Sequence, residues 1–271
     1  MSYQAMTSSR SPFIGTEHAV STAHFLSTAV GNRILELGGN AVDAGVASGV
    51  AMNTVMPYLT SFGGVAPIIV YLSDREEVLT ISGVGRWPKG HSLDEHRKRW
   101  GSDIPYGISP IVVPAAPDAW MTALELFGTM TLQEVLGPSV RFAQDGFPAT
   151  ASYRYMLGKK ESQDFLMDWP ETAEILMPNS RFLNVGERLS NPDLGRLYQD
   201  LIDVERSSAW LGRAGAIRTA RDHFYTGKPA EMITKFVDRN GGIMTMADMK
   251  DFHVTVESPI KASYKDLDLF V

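Results

Sequence analysis

Hydrophobic and polar positions change period several times along the chain. From Thr16 to His24 they alternate, which predicts a strand, and Ala29, Val30, Arg33, Ile34 and Leu37 then recur at helical spacing. Gly38-Gly39 ends that helix. Asn40 can cap a second one, with Asp43 in its first turn where an acid suits the helix dipole, and the pattern runs to Pro57. One side of this second helix, made of Ala41, Ala44, Gly45, Ala47, Ser48, Gly49 and Ala51, carries little bulk. A side of that kind implies close approach to another helix or a sheet, with burial on several sides.

Ser61-Phe62-Gly63-Gly64 breaks the helical pattern before Ile68–Leu72, which reads as a buried strand, and Ser73 to Glu77 turns it into Val78–Ile81. This hairpin feeds a Gly-rich bend from Gly83 to Gly90. Residues 101–117 read as loop with short extended pieces. Helices are expected over Ala119–Phe127, Leu132–Gln144, Asp193–Asp203, Gly215–His223, Ala230–Arg239 and Met246–Phe252, and Leu267–Val271 alternates as a strand at an interrupted sheet edge. No repeat, heptad or linker divides the chain. The pattern predicts a layered α/β (α+β) protein with a small sheet and many helices, arranged as a leader over residues 1–15 and one domain over 16–271.

Composition narrows the function classes. With 271 residues, 44% of them hydrophobic, the chain can bury a sizeable core. Its formal charge of −6 and scattered Lys and Arg make no field that gathers polyanions, so nucleic acid and anionic membrane are poor partners. No apolar run is long enough to span a bilayer, and the start lacks a basic segment followed by an apolar one; the expected location is the cytoplasm. Zero cysteines exclude disulfides, thiolate nucleophiles and Cys-ligated metals within these positions.

Candidate chemistry is sparse. Gly-x-Ser-x-Gly does not occur, and the histidines, His18, His24, His91, His96, His223 and His253, form neither His-x-x-x-His nor His-Glu-x-x-His. No metal site and no cofactor is expected. His91 and His96 lie in a charged stretch that reads as a solvated face. Phe62-Gly63-Gly64-Val65 precedes a strand and lacks the Gly-Lys-Ser/Thr ending of a phosphate loop, so it reads as a tight turn. Ser2 would become an N-terminal nucleophile on removal of Met1, although a disordered leader accounts for it more simply. Asp43 and Asp118 read as helix-start acids. Arg86 stands out, because it follows a strand inside Gly83-Val84-Gly85-Arg86-Trp87-Pro88, where its planar fork suits a carboxylate; the alternative is a surface arginine stacked on Trp87. These residues complete no catalytic set.

Glu36-Leu-Gly-Gly-Asn40-Ala-Val-Asp43-Ala, followed by Phe62-Gly63-Gly64 and a strand, resembles a signature of the γ-glutamyltransferase family. Leu126 to Leu136, Ala143 to Pro148, His223 to Gly227, Gly241 to Thr245, Asp248 to Phe252 and Glu257 to Tyr264 resemble further family segments in order, so the likeness covers most of residues 16–271. It implies an N-terminal-nucleophile hydrolase with an αββα sandwich, made as a precursor that cuts itself into large and small subunits. This chain would supply the helix-rich large-subunit half, and no catalytic residue. The nucleophile would be a threonine beginning the small subunit. Its partners would be that subunit and a small-molecule amide, and a dimer of αβ units is compatible with the reading.

The resemblance departs from the family at the candidate site. Transferases that take glutathione place an Arg four residues before a proline to hold the glutamyl α-carboxylate; here that position is Val84, and Arg86 stands two before Pro88. The family's Pro-Gly-Thr segment is Pro114-Ala115-Ala116-Pro117. These changes imply that a γ-glutamyl α-carboxylate is not read in the usual way. They bring in an amidohydrolase or acylase for a different acyl group. A non-catalytic remnant that binds a small molecule or a partner is the remaining alternative.

Overall fold

The structure, a computed structural model, describes residues 13–271. Most of the expected leader, Ser2 included, lies outside the described residues. The strand expected over Thr16–His24 does not form. Thr22 Oγ1 donates to the His24 carbonyl at 2.8 Å and accepts from the His24 N–H at 3.3 Å, so the backbone is satisfied locally instead of by a ladder. His24 then caps helix α1 (Phe25–Glu36), its Nδ1 accepting from the Leu26 N–H.

Helix α2 (Ala41–Val55) begins as its sequence predicts. Asn40 Oδ1 accepts from the Val42 and Asp43 N–H groups, and Asp43 Oδ2 accepts from the Asn40 N–H at 2.9 Å, closing a reciprocal cap. Its small side chains admit neighbours on two sides. A Cβ added at Gly49 would stand 2.4 Å from the Trp120 ring, and one added at Gly31 of α1 would stand 2.3 Å from Ser48 Oγ. Helices α4 (Ala116–Phe127) and α5 (Leu132–Asp145) pack against α2, while α9 (Pro192–Ser207) lies on α5 and α10 (Gly212–Thr226) on α9 and α4. Helix α11 (Lys228–Arg239) and the short α12 (Met246–Lys250) close this layer beside α10.

Asp43 does more than start a helix. Fully buried, it also accepts from the Thr129 N–H at 2.9 Å, Thr129 Oγ1 at 2.7 Å and the Met130 N–H at 3.1 Å. One carboxylate therefore ties α2 to the turn between α4 and α5. Glu205, near the end of α9, plays a comparable part, accepting from the Leu132 N–H at 2.7 Å and so docking α9 on the start of α5.

Strands β1 (Ile68–Leu72) and β2 (Glu77–Ile81) form the expected hairpin, extended by β5 (Val256–Glu257) into an antiparallel sheet of order β1-β2-β5. It meets the helices through Ile68 and Ile81. The buried strand expected at Ile68–Leu72 is corrected: its residues alternate, with Ile69 52% and Tyr71 61% exposed, because only one face of the sheet is covered by the described residues. A second hairpin, β6 (Lys261–Tyr264) and β7 (Leu267–Phe270), is exposed throughout.

Other helices were not legible in the sequence. Helix α3 (Leu93–Trp100) buries no residue, which fits a solvated face but hides a helix. Helices α6 (Ala151–Leu157), α7 (Lys160–Met167) and α8 (Pro170–Leu176) each bury only one or two side chains, too few to reveal a helical period. With the two-residue pair β3 (Phe147–Pro148) and β4 (Arg188–Leu189) they enclose a smaller core around Tyr153, Leu166 and Leu189. The class is α+β and helix-rich, as expected.

Candidate functional site

The arginine segment leaves β2 along a path only small residues can follow. Gly83 has φ 47°, and a Cβ there would stand 2.0 Å from the Ala66 carbonyl oxygen. A Cβ at Gly85 would stand 2.3 Å from the Val113 carbonyl oxygen. The glycines therefore serve close chain crossings within the protein. The Arg86 carbonyl accepts from the Val113 N–H at 2.9 Å, and three residues later the Lys89 N–H donates to Asp248 Oδ1 at 2.9 Å. Between those two anchors the Arg86 side chain is exposed.

Its guanidinium lies over the ring of Phe252, 5.9 Å from the centroid. The stack on Trp87 weighed from sequence is not made, because Trp87 stacks on His91 with centroids 4.2 Å apart. Among the described residues no carboxylate pairs with Arg86, so its donors face solvent.

Beneath this surface lies a buried polar cluster. Asp118 Oδ1 accepts from Thr122 Oγ1 at 3.0 Å with Arg221 Nε 3.6 Å away, and its Oδ2 accepts from the Val254 N–H at 2.9 Å. Burial raises its pKa above the ordinary 3.8, against the opposing pull of the Val254 N–H, Arg221 and Thr122. Tyr225 Oη accepts from the Asp118 N–H and donates to the Pro114 carbonyl at 2.6 Å. The Pro114–Pro117 segment that departs from the family pattern is thus held from both sides, since the Ala115 and Ala116 N–H groups donate to the Gly64 carbonyl, each at 2.9 Å. Phe62-Gly63-Gly64 is the tight turn expected, with Phe62 edge-on to Tyr198 and Phe224.

The histidines do not assemble a nucleophile. His24 Nδ1 meets the Leu26 N–H, His96 Nε2 meets the Asp103 carbonyl, and His223 Nε2 meets Asp200 at 2.7 Å. The His91 and His96 rings lie 5.5 Å apart, but among the described residues no group of three or more His, Cys, Asp or Glu could hold a metal ion. No helix among them is long and apolar enough to cross a membrane. Sequence reasoning missed Phe252 as the neighbour of Arg86 and Asp248 as the anchor of Lys89 in the same segment. Each stands about 160 residues away in sequence, and only the Asp248–Phe252 block common to the family pointed there.

At the β1 edge of the sheet, α2, α4 and β1 line an open apolar cavity of about 500 Å³, whose residues include Val42, Ile69, Tyr71, Trp120 and Phe127.

Known proteins agree with this architecture. The chain is 30% identical over 259 residues to the glutathione hydrolase-like YwrD proenzyme of Bacillus subtilis (strain 168), covering 95% of this chain and 46% of that protein. It is 29% identical over 273 residues to the acylase ACY 1 proenzyme of Pseudomonas sp. (strain V22), covering 97% and 46%. It thus spans less than half the length of these curated relatives. The solved gamma-glutamyltranspeptidase of Helicobacter pylori superposes with a TM-score of 0.83 at 23% identity, over 96% of this chain and 71% of that one, which shows a common fold. The family model for gamma-glutamyltranspeptidase matches residues 27–271, and the chain belongs to that family.

Proposed function

We propose that residues 16–271 form the large-subunit domain of an amide-cleaving enzyme, in which a threonine at the start of a second chain is the nucleophile and Arg86 holds a carboxylate of the acyl group. The threonine hydroxyl would attack the amide carbonyl with its own α-amine as base, giving an acyl-enzyme that water or an amine resolves. The uncovered sheet carries this reading. Ile69, Tyr71 and the apolar cavity beside them are surface that a second chain would bury, and relatives more than twice as long, named as proenzymes, have the polypeptide to supply it. Mass spectrometry of the purified full-length protein tests it. A second chain beginning with threonine, and loss of amide cleavage on replacing that threonine, are expected; active protein without such a chain rejects the proposal.

Within this reading, cleavage of amides whose acyl group is not γ-glutamyl is favoured over glutathione hydrolysis. Val84 stands where the usual arginine would, and a relative of comparable identity is named an acylase. Rates on γ-glutamyl and glutaryl anilides, which differ only at the α-position, separate the two. A non-catalytic remnant would require this chain to fold and bind alone, and aggregation of the chain expressed by itself counts against it. The cytoplasmic location and an assembly of αβ units belong to the same proposal, to be read from fractionation and from the mass of the purified assembly.

A further inference from the structure

The Arg86 side chain has no hydrogen-bonding or ionic partner of its own among the described residues, so its direction must come from elsewhere. Two contacts are available. One is the Phe252 face, 5.9 Å from the guanidinium. The other is the backbone anchor three residues on, where the Lys89 N–H meets Asp248 Oδ1. Both belong to one short segment, and that segment is itself held firmly. Asp248 is 6% exposed, and its other oxygen accepts from the Thr245 N–H at 2.8 Å and Thr245 Oγ1 at 2.7 Å, capping α12. Phe252 is 2% exposed and stacks on Tyr225 with centroids 5.9 Å apart and ring planes 28° from parallel. Just beyond it, the Val254 N–H is held by buried Asp118.

The two oxygens of Asp248 therefore do different work: Oδ2 caps α12, and Oδ1 binds only the arginine segment. A helix cap needs no second anchor of this kind, and a core phenylalanine needs no guanidinium on its face. We propose that Asp248 and Phe252 are positioning residues that aim Arg86 at the carboxylate of the acyl donor. This rests on the reading of Arg86 given above. A carboxylate-binding fork displaced by about an ångström loses much of its hold, so a fixed seat for an otherwise unpartnered arginine matters to substrate capture.

The test uses the full-length processed enzyme and two amide donors, one with a free carboxylate on its acyl group and one with that carboxylate as a methyl ester. The readout is the ratio of their KM values. Phe252→Leu keeps an apolar filler but removes the ring face, and is expected to raise KM for the carboxylate donor about 3- to 10-fold relative to the ester, as loss of a cation–π contact would. Asp248→Asn, which cannot accept on both oxygens, should shift the ratio in the same direction. In an Arg86→Ala background neither change should move the ratio further, whereas a purely structural role would change both donors alike. If Arg86→Ala leaves the ratio untouched, the carboxylate role of Arg86 falls and the positioning proposal falls with it. If Arg86→Ala moves the ratio while Phe252→Leu and Asp248→Asn do not, the positioning proposal alone is overturned. Should Phe252→Leu fail to fold, Asp248→Asn decides by the same criterion.

Discussion

In α2, ten of fifteen residues are buried, whereas every residue of β6 and β7 is exposed, and β1 leaves Ile69 and Tyr71 in solvent. Both regions are rich in apolar side chains. The helical layer finds its complement within the chain: α1, α4 and α5 cover α2, and buried carboxylates at Asp43 and Glu205 fasten the joints. Among the described residues the sheet finds cover on one face only. A layer that closes on itself stabilises the fold, and one left half-covered offers surface for association.

Removing the fastening at Asp43 should have the largest effect. Asp43→Ala leaves the Asn40, Thr129 and Met130 N–H groups without their acceptor inside a closed layer, and is expected to cost about 3 kcal/mol or more, read from urea unfolding. A loss under about 1 kcal/mol would mean that the layer is not held through this joint.

The next effect is a dependence on pH with opposite signs at two acids beside the arginine segment. Burial raises the pKa of Asp118 above 3.8, so its contribution to stability is present below that value and is lost as pH rises through the folded pKa. For Asp248, burial pushes upward but the bonds from the Lys89 N–H and Thr245 outweigh it and lower the pKa. Its contribution is therefore present above 3.8 and lost as pH falls through the folded pKa. Unfolding midpoints of Asp118→Asn and Asp248→Asn relative to the parent, measured from pH 3 to 7, should diverge accordingly. Parallel curves would contradict this assignment.

The smallest effect on stability is expected on the sheet side. Ile69→Lys should change the folding free energy by less than about 0.5 kcal/mol, because the side chain is already half in water. It should nevertheless reduce recovery of the proposed second chain with this one on co-purification. A large loss of stability with full recovery would reverse the contrast between the two regions.

Legibility followed burial. The cap at Asn40, the stop before Pro57 and the hairpin turning between Leu72 and Glu77 could be read because each rests on local backbone chemistry or on a period that one face imposes. Helices α6 to α8 could not, since Tyr153, Leu157, Leu166 and Leu176 are nearly all they bury. The alternation over Thr16–His24 misled, because Thr22 satisfies the backbone that a strand would have left for a ladder. At the candidate site, Arg86 was found from its chemistry and its flanking glycines. What its side chain rests on was not.

By itself, the sequence determined the cap at Asn40, the small side of α2, the lack of a thiol within these positions and the family to which the chain belongs, since these depend on residue type and short spacing. The tertiary structure alone decided that Asp43 and Asp118 are buried hubs and that Arg86 lies on Phe252 instead of Trp87. It alone showed that the described residues leave one face of β1 uncovered. Those outcomes depend on groups far apart in the chain competing for the same space and the same hydrogen bonds, and no local pattern records which of them wins.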